Sequence, residues 1–368
     1  MGNSYEFWEE YLENCKNAIE EMSIRKEKIH VDLHMHSNYS ADGKQSVKQI
    51  WDNRCKLGFD IISITDHDTV DAYDEIYNYV KNGLTNPIII PGIEFTMDNK
   101  EYGNQCHLLQ LFINPKDNIL LSDVIKNKKS MYKRSKIQFK RIEENKALQI
   151  IFKKYHIKVS YLEYKKYLYD NNLIPEYDTL CSYLIKKLKE CNVTTFNVLN
   201  LLEIINEDDI YDDRKKYKKK RYEQLRNKYE YCDNNLYNSR FLLSMLAVKE
   251  VDDDWWNEPS SGSLSVNSYG QLKIEELNDK YSIYFAHPTE KKLNIVNKII
   301  RKYIKICGIE LNIRNQYEDI KRFYDILESN NLEKIIGSDS HDNKCEFYKD
   351  MSFYEISTDE IIKIIGRK

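Results

Sequence analysis

The placement of its metal-binding side chains limits how this chain can fold more than any other feature. His34 and His36 lie in DLHMHS, Asp42 in ADG, His67 in ITDHDT, Glu94 in PGIEF and His107 in CHLL. His287 in AHP, and Asp339 with His341 in GSDSH, come only near the other end. These contexts hold all but two of the eight histidines, and His30 and His156 stand outside them. A set of imidazoles and carboxylates this concentrated is useful only if the two ends of the chain meet, so neither end is expected to work alone.

At both ends short apolar runs alternate with helical periodicity. Residues 5–27 can put Phe7, Trp8, Tyr11, Leu12, Cys15, Ala18, Ile19 and Met22 on one helical face. IHVDLHMH then reads as a strand, VKQIWDNRCKLG as a helix ending at Gly58, and FDIISITDH as a strand. DAYDEIYNYVKNG reads as a helix stopped by Gly83, followed by strands in PIIIPGIEFTM and HLLQLFI. Alternation of this kind predicts parallel β-α units. It breaks at Pro115, after which Lys, Tyr, Asn and Leu dominate and helices are predicted at 119–155, 159–172, 177–191, 195–205 and 212–248. A loop, VDDDWWNEPSSGSLS, closes this stretch, and alternation returns with YSIYFAHP, KKLNIVNKIIRKYIK, CGIELNI, YEDIKRFYDILESNN, EKIIGSDSH and DEIIKIIG. The reading is an α/β barrel interrupted by a helical insertion: an N-terminal helix at 1–28, barrel parts at 29–116 and 276–368, and the insertion at 117–275.

Composition excludes several functions. A formal charge of -3 and a pI near 6.3 predict no general affinity for nucleic acid or anionic membrane, so any basic surface must be local. No stretch approaches a membrane-spanning apolar run, and the first residues are acidic and aromatic, unlike a signal peptide. The eight cysteines are scattered without a C-x-x-C pair, as expected of reduced thiols in a cytoplasmic protein.

Residues two apart in a strand face the same side, so His34 and His36 can present both rings to one ion. His67, Glu94, His107, His287, Asp339 and His341 are expected at or just past the C-terminal ends of strands, which gather at one mouth of a parallel barrel. Gly92, Pro288 and Gly337 suit tight turns there. Asp32, Asp66 and Asp68 are expected to support ligating imidazoles or to be structural, with helix capping by Asp68 or Thr69 as the plain alternative. His30 is expected to be packed in a strand, His156 to face solvent, and Cys106 and Cys345 to be ordinary thiols.

These residues resemble the PHP family, the polymerase and histidinol phosphatase metal-dependent phosphoesterases. The match runs through DLHMHS, ADG, ITDHDT, PGIEF, CHLL, AHP, GIEL and GSDSH in the family's order, over 29–115 and 278–345. The resemblance implies a distorted (βα)7 TIM-like barrel, the PHP fold, holding up to three divalent ions of manganese, zinc or iron. It implies that His34, His36 and Asp339 bind the first ion and that Glu94 bridges the first and third. Asp42, His67 and His341 would hold the second ion, and His107 and His287 would complete the third. Asp42 stands where some relatives have His, which favours a harder ion such as Mn²⁺ or Fe²⁺ at the second site. The catalytic work would fall to His34, His36, Glu94, Asp339 and His341, with a metal-bridging hydroxide attacking phosphorus.

Two basic runs, KNKKSMYKRSKIQFKRIEENK and RKKYKKKRYEQLRNKY, lie in the insertion. Each reads either as a solvated helical face or as a cap that gathers phosphate. Arg134 and Arg141 are the candidate substrate-phosphate ligands. The leading expectation is a metal-dependent phosphoesterase acting on a nucleotide or a nucleic-acid 5′ end, as phosphatase or exonuclease. A histidinol-phosphatase-like enzyme and a PHP subunit of a larger nucleic-acid-processing or defence complex, docked through the insertion, compete with it. An amidohydrolase on a similar barrel is weaker, for want of a Lys-bridge signature. The partners expected are thus a phosphorylated substrate and a protein bound through the insertion, with no membrane.

Overall fold

The computed structural model describes residues 4–40, 42–99, 101–102, 104–144, 146–171, 173–175, 177–193, 272–303, 305–313, 320–342 and 348–366. The helices expected at 195–205 and 212–248, the second basic run, the loop after them and Cys345 lie outside the described residues. The chain divides into two compact units, one of residues 1–131 and 268–368, the other of 132–267.

The first unit opens with α1 (Tyr5–Arg25), capped by Ser4, whose Oγ accepts from the Phe7 amide at 3.2 Å. Trp8, Leu12, Cys15 and Ile19 recur at helical spacing and are buried, and Trp8 meets Tyr73 edge-on at 5.7 Å. Burying such apolar side chains contributes about 1.5–3 kcal/mol each, so this helix belongs to the hydrophobic core of the unit. β1 (Lys28–Asp32) leads to α2 (Val47–Leu57), which begins with a Ser46/Gln49 capping box and ends at Gly58 with φ 80°. β2 (Ile61–Ile62), α3 (Ala72–Lys81), β3 (Ile88–Ile89), β4 (Gly92–Asn99) and β5 (Asn104–Leu111) follow. After the insertion come β6 (Ser282–Phe285) and, past α4 to α7 of the insertion region, α8 (Leu293–Lys302). β7 (Ile306–Asn312), α9 (Ile320–Ser329), β8 (Glu333–Gly337), β9 (Glu355–Ser357) and α10 (Thr358–Gly366) complete the unit.

The ladders form two sheets, ordered β3-β2-β1-β9 and β4-β5-β6-β7-β8. The fold is mixed α/β, and the described ladders do not make one closed, all-parallel barrel. β1-β2, β2-β3, β6-β7 and β7-β8 are parallel, whereas β1-β9, β4-β5 and β5-β6 are antiparallel. The expectation of parallel units fails at β4-β5 because residues 100–103 are too few for a crossover, so the chain must turn back as a hairpin. PIIIPGIEFTM, read as one strand, is two: it pairs with β2 up to Ile89, crosses Ile90-Pro91, and joins the second sheet from Gly92. β9 was not expected, since three residues carry no readable alternation.

Between the sheets, the segments leaving β1 and β8 run side by side. Leu33 N donates to Ile336 O at 2.9 Å, Asp339 N to His34 O at 2.8 Å and His36 N to Ser340 O at 2.9 Å. On the other side Thr65 N donates to Met35 O at 2.8 Å, and Asp68 N to Glu94 O at 2.9 Å. These bonds bring ligand-bearing segments from both ends of the chain together.

The second unit includes the latter part of α4 (Asn118–Glu144), with α5 (Lys146–Lys154), α6 (Tyr161–Asp170) and α7 (Tyr177–Glu190). Its core holds Phe139, Ile142, Tyr164, Leu168, Tyr183 and Leu184, with Phe139 stacked on Tyr164 at 5.1 Å. The single helix expected over 119–155 is two, α4 and α5.

Candidate metal centre

His34 and His36 extend beyond β1, and the backbone bonds to the β8 segment hold their spacing. Their Nε2 atoms lie 3.0 Å apart. Glu94 reaches both: its Oε2 is 3.0 Å from His34 Nε2 and 3.1 Å from His36 Nε2. Asp339 Oδ1 lies 3.2 Å from His36 Nε2 and 3.7 Å from His34 Nε2. On one side of this group, His341 Nε2 is 2.8 Å and His67 Nε2 3.7 Å from Asp42 Oδ2. On the other, Glu94 Oε1 is 3.0 Å from His107 Nδ1 and 3.1 Å from His287 Nε2, and these two ring nitrogens are 3.1 Å apart. The ligand atoms fall into three overlapping groups: His34, His36, Glu94 and Asp339; His36, Asp42, His67 and His341; and His67, Glu94 and His107. All nine residues singled out in the sequence are thus brought together. Three details differ from the expected sharing: His36 also joins the Asp42 group, His67 also joins the Glu94 and His107 group, and His287 joins none of the three, although its Nε2 lies 3.1 Å from Glu94 Oε1.

Strand position differs as well. Glu94 is the third residue of β4 and His107 sits mid-strand in β5, not at strand ends. The hairpin explains why this works. Glu94 pairs with Leu109 and Thr96 with His107, so Glu94 and His107 are diagonal neighbours on one face of the antiparallel ladder. Gly92 and Gly337 are required by close approach rather than by turns. A Cβ at Gly92 would lie 2.6 Å from Ser63 Oγ, and one at Gly337 2.4 Å from both His34 Cβ and Glu310 Oε1. Asp339 and His287 hold left-handed backbone (φ 50° and 28°), a strained conformation at two of the positions that aim a side chain inward.

The charges are consistent with a cation cage. Burial opposes ionisation of Glu94, yet the imidazoles of His67, His34 and His107 hold its carboxyl well below the usual range. Burial likewise opposes ionisation of Asp42 and Asp339; His67 and His341 lower the first, His36 and His34 the second. His36 is pushed up to about 10, because hydrogen bonds to Asp339 and Glu94 overcome its burial. Burial wins at His67, which falls to about 3 against the pull of Glu94 and Asp42. Three ionised carboxylates in one buried cluster demand positive charge beside them. Donor atoms about 2.1 Å from a common divalent cation would stand roughly 3 Å from one another when they approach it at right angles, which is the spacing seen among His34, His36 and Glu94. The buried Nδ1 of His36 has no hydrogen-bond partner, so that nitrogen is not committed to a competing bond, and Nδ1 of His67 lies 3.3 Å from Glu94 Oε2. The nitrogen and oxygen donors fit divalent manganese, iron or zinc.

One functional side chain escaped the sequence reading. Glu310, in GIEL, is fully buried and accepts from His34 Nδ1 at 2.9 Å, from the His287 amide at 2.6 Å and, through Oε1, from Asn312 Nδ2 at 2.8 Å. With Nδ1 donating to Glu310, His34 presents the lone pair of Nε2 to the cluster. The signal was available as a carboxylate in an otherwise apolar strand. Asp32, Asp66 and Asp68, the residues suspected of this role, make other bonds. Asp66 accepts from Ser37 N and Oγ, both at 2.6 Å; Asp32 accepts from Arg54 Nε at 3.1 Å and from Ser338 N at 2.9 Å. Asp68 is taken up below. Three donors converge on Glu310, so the position needs a group that only accepts. Glu310→Gln is expected to weaken divalent-cation binding about 10–100-fold, measured by calorimetric titration of Mn²⁺ into chelator-stripped protein; unchanged affinity would remove Glu310 from this role.

Arg134 and Arg141 join none of the three groups. Arg134 is buried on α4, its Nε without a hydrogen-bond partner, and the side chain of Arg141 lies outside the described residues. His30 is half-buried in β1, 3.8 Å from Glu355, and His156 is exposed. Burial pushes the Cys106 thiol up to about 12, as for an inert thiol. No helix among the described residues is long and apolar enough to cross a membrane.

Comparison with known proteins gives an independent view. No curated protein matches the chain. Among solved structures, a proposed metal-dependent phosphoesterase from Bifidobacterium adolescentis is similar at TM-score 0.49 and 15% identity, covering 85% of this chain and 88% of that one. An amidohydrolase from Chromobacterium violaceum with bound sulfate and no metal is similar at TM-score 0.49 and 13% identity, over 89% and 98% of the two chains. A two-domain protein from Bacteroides vulgatus containing a proposed PHP-like phosphoesterase reaches TM-score 0.33 and 11% identity, over 85% of this chain and 52% of that one. At these scores the likeness carries no functional assignment. The profile of the PHP domain matches residues 32–232, more than half of the 368-residue chain, and by that match the chain belongs to the PHP domain family.

Proposed function

We propose that this protein is a metal-dependent phosphoesterase that hydrolyses the phosphate ester of a nucleotide or of a nucleic-acid 5′ end. The observation that carries the reading is the overlap of the three ligand groups on Glu94, His36 and His67, which supports neighbouring cation sites within one small volume. Divalent cations held there would acidify water and set positive charge against the phosphoryl oxygens. The chain's own residues do the rest. Glu310 fixes the ring of His34, and His341 Nδ1 donates to Asp339 O at 2.8 Å, leaving Nε2 toward Asp42. Exposure then gives the cluster a direction. The side chains of His34, His36 and Glu94 are 0% exposed, whereas His287 is 31%, His107 25%, Asp42 23% and His341 20% exposed. A substrate phosphate would therefore approach where His107, His287, Asp42 and His341 are exposed rather than over the buried His34 and His36. The basic run at 126–146 supports an anionic substrate.

We also read the two sheets as parts of one distorted (βα)7-type barrel. The isolated bridges Met35↔Ser340, between the segments after β1 and β8, and His67↔Glu94, between the segment after β2 and β4, support this.

The test is turnover with Mn²⁺ on mononucleotides, 3′,5′-bisphosphates, 5′-phosphorylated RNA and DNA, and histidinol phosphate, with His67→Ala as control. Release of phosphate or mononucleotide from the nucleic-acid substrates, lost in the control, is expected. Turnover of histidinol phosphate alone would overturn the substrate class, and no turnover on any of them would overturn the activity.

A further inference from the structure

The turn after His67 is braced from the root of the insertion. Asp68 stands there with φ 52°, and its Oδ1 accepts from the Thr96 amide at 3.1 Å and from Asn127 Nδ2 at 2.7 Å. Asn127 Nδ2 also donates to Thr96 O at 3.0 Å, while its Oδ1 accepts from the Leu272 amide at 2.8 Å. Asn127 is fully buried, so its carboxamide spends both N–H groups and its oxygen inside the protein. Thr96 pairs with His107 across the β4-β5 ladder, and Asp68 N donates to the carbonyl of Glu94. One amide thus touches the neighbours of His67, Glu94 and His107.

The same amide lies where the insertion leaves and rejoins the first unit, within that unit. Asn127 is on the outgoing helix α4 and Leu272 on the returning segment. Lys126 pairs with Glu276 at 2.7 Å, and the Asn278 amide donates to Asp123 Oδ2 at 3.2 Å, so the two connections are fastened to each other. Leu272 O in turn accepts from the Asp98 amide in β4 at 2.9 Å. The second carboxylate oxygen of Asp68 is buried without a hydrogen-bond partner, which leaves this side chain dependent on Asn127 and Thr96 for its placement.

We propose that Asn127 is a positioning residue that couples the root of the insertion to the cation ligand His67. Only asparagine meets the site's demand for two donors and one acceptor at this reach. Loss of the amide leaves the Asp68 carboxylate, the Thr96 carbonyl and the Leu272 amide short of partners in a buried place. The Asp68 turn then relaxes from its left-handed conformation, and His67 leaves the position it shares with Asp42 and Glu94. The proposal rests on the reading of His67 as a cation ligand.

Calorimetric titration of Mn²⁺ into chelator-stripped, full-length protein tests it. Asn127→Ala and Asn127→Asp are expected to weaken by about 10–100-fold the class of Mn²⁺ that His67→Ala abolishes. The reciprocal double variant Asp68→Asn with Asn127→Asp restores a donor–acceptor pair between the two positions but leaves the Thr96 carbonyl without its donor. It is expected to recover at least about threefold of the affinity that Asn127→Asp loses, a coupling that separate structural losses would not show. Asn127→Ser, which shortens the side chain without adding charge, reads the same way should Asn127→Asp fail to fold. Wild-type affinity in the single variants, or a double variant as weak as Asn127→Asp, overturns the proposal. Wild-type protein that takes up no Mn²⁺ would sink the metal-site reading as well, and so differs from wild-type uptake with unaltered variants.

Discussion

Glu94→Gln is expected to leave the purified protein without its cations and to reduce phosphoesterase turnover by more than about 100-fold, beyond the cost of losing an outer partner of a ligand. The reason is its central position. Glu94 lies within 3.0–3.3 Å of His34, His36, His67, His107 and His287, and its side chain is wholly buried. Gln keeps the shape and one acceptor but loses the charge that the cluster is built around. A single missing partner in a buried charged group costs about 3–5 kcal/mol, so the cation-free variant is also expected to unfold at lower urea than cation-free wild type. Elemental analysis after gel filtration reads the first effect and urea unfolding the second. A variant that retains the wild-type metal content would show that Glu94 is not the shared ligand.

Removing the cations from the wild-type protein should lower its thermal midpoint substantially. Ligands present at about 1,000 times their dissociation constant stabilise the folded state by about 4 kcal/mol. For a unit of this size that corresponds to roughly 8–16 °C. Scanning calorimetry with excess chelator, then with Mn²⁺ restored, measures the difference. The direction follows from the site itself: clustered carboxylates and strained backbone at Asp339 and His287 cost free energy that a bound cation offsets. Identical midpoints with and without cations would contradict a cage of this kind.

Much of the site was legible because ligand chemistry is local in sequence. An H-x-H pair on an extended segment, an acid in PGIEF and the acid and imidazole of GSDSH each announce themselves by residue type. Pairing direction was not legible. Nothing in HLLQLFI distinguishes a parallel strand from the second arm of a hairpin; the short connection at 100–103 decides it, and it moved Glu94 and His107 from strand ends into strand interiors. Glu310 was given no role, although GIEL stands among the matching motifs, because a lone carboxylate in an apolar strand shows no partner until His34 Nδ1 and the His287 amide are seen to converge on it. For Asp32, Asp66 and Asp68, expected either to support imidazoles or to be structural, the structure shows structural bonds. Asp66 and Asp68 flank His67 in sequence, where adjacent residues of an extended segment face opposite ways; they bond to Ser37, Thr96 and Asn127, and Asp32, two residues before His34, bonds to Arg54 and Ser338.

By itself the sequence determined which side chains could bind cations, that both ends of the chain were needed, and that a helical segment separates them. These are matters of residue type and periodicity, which each stretch carries alone. The tertiary structure decided which of these side chains lie together, which carboxylate bonds His34 Nδ1, and how Asn127 bonds to Asp68 beside His67. Those depend on distances between residues far apart in the chain, and such distances are set only when the two sheets and their connecting segments pack.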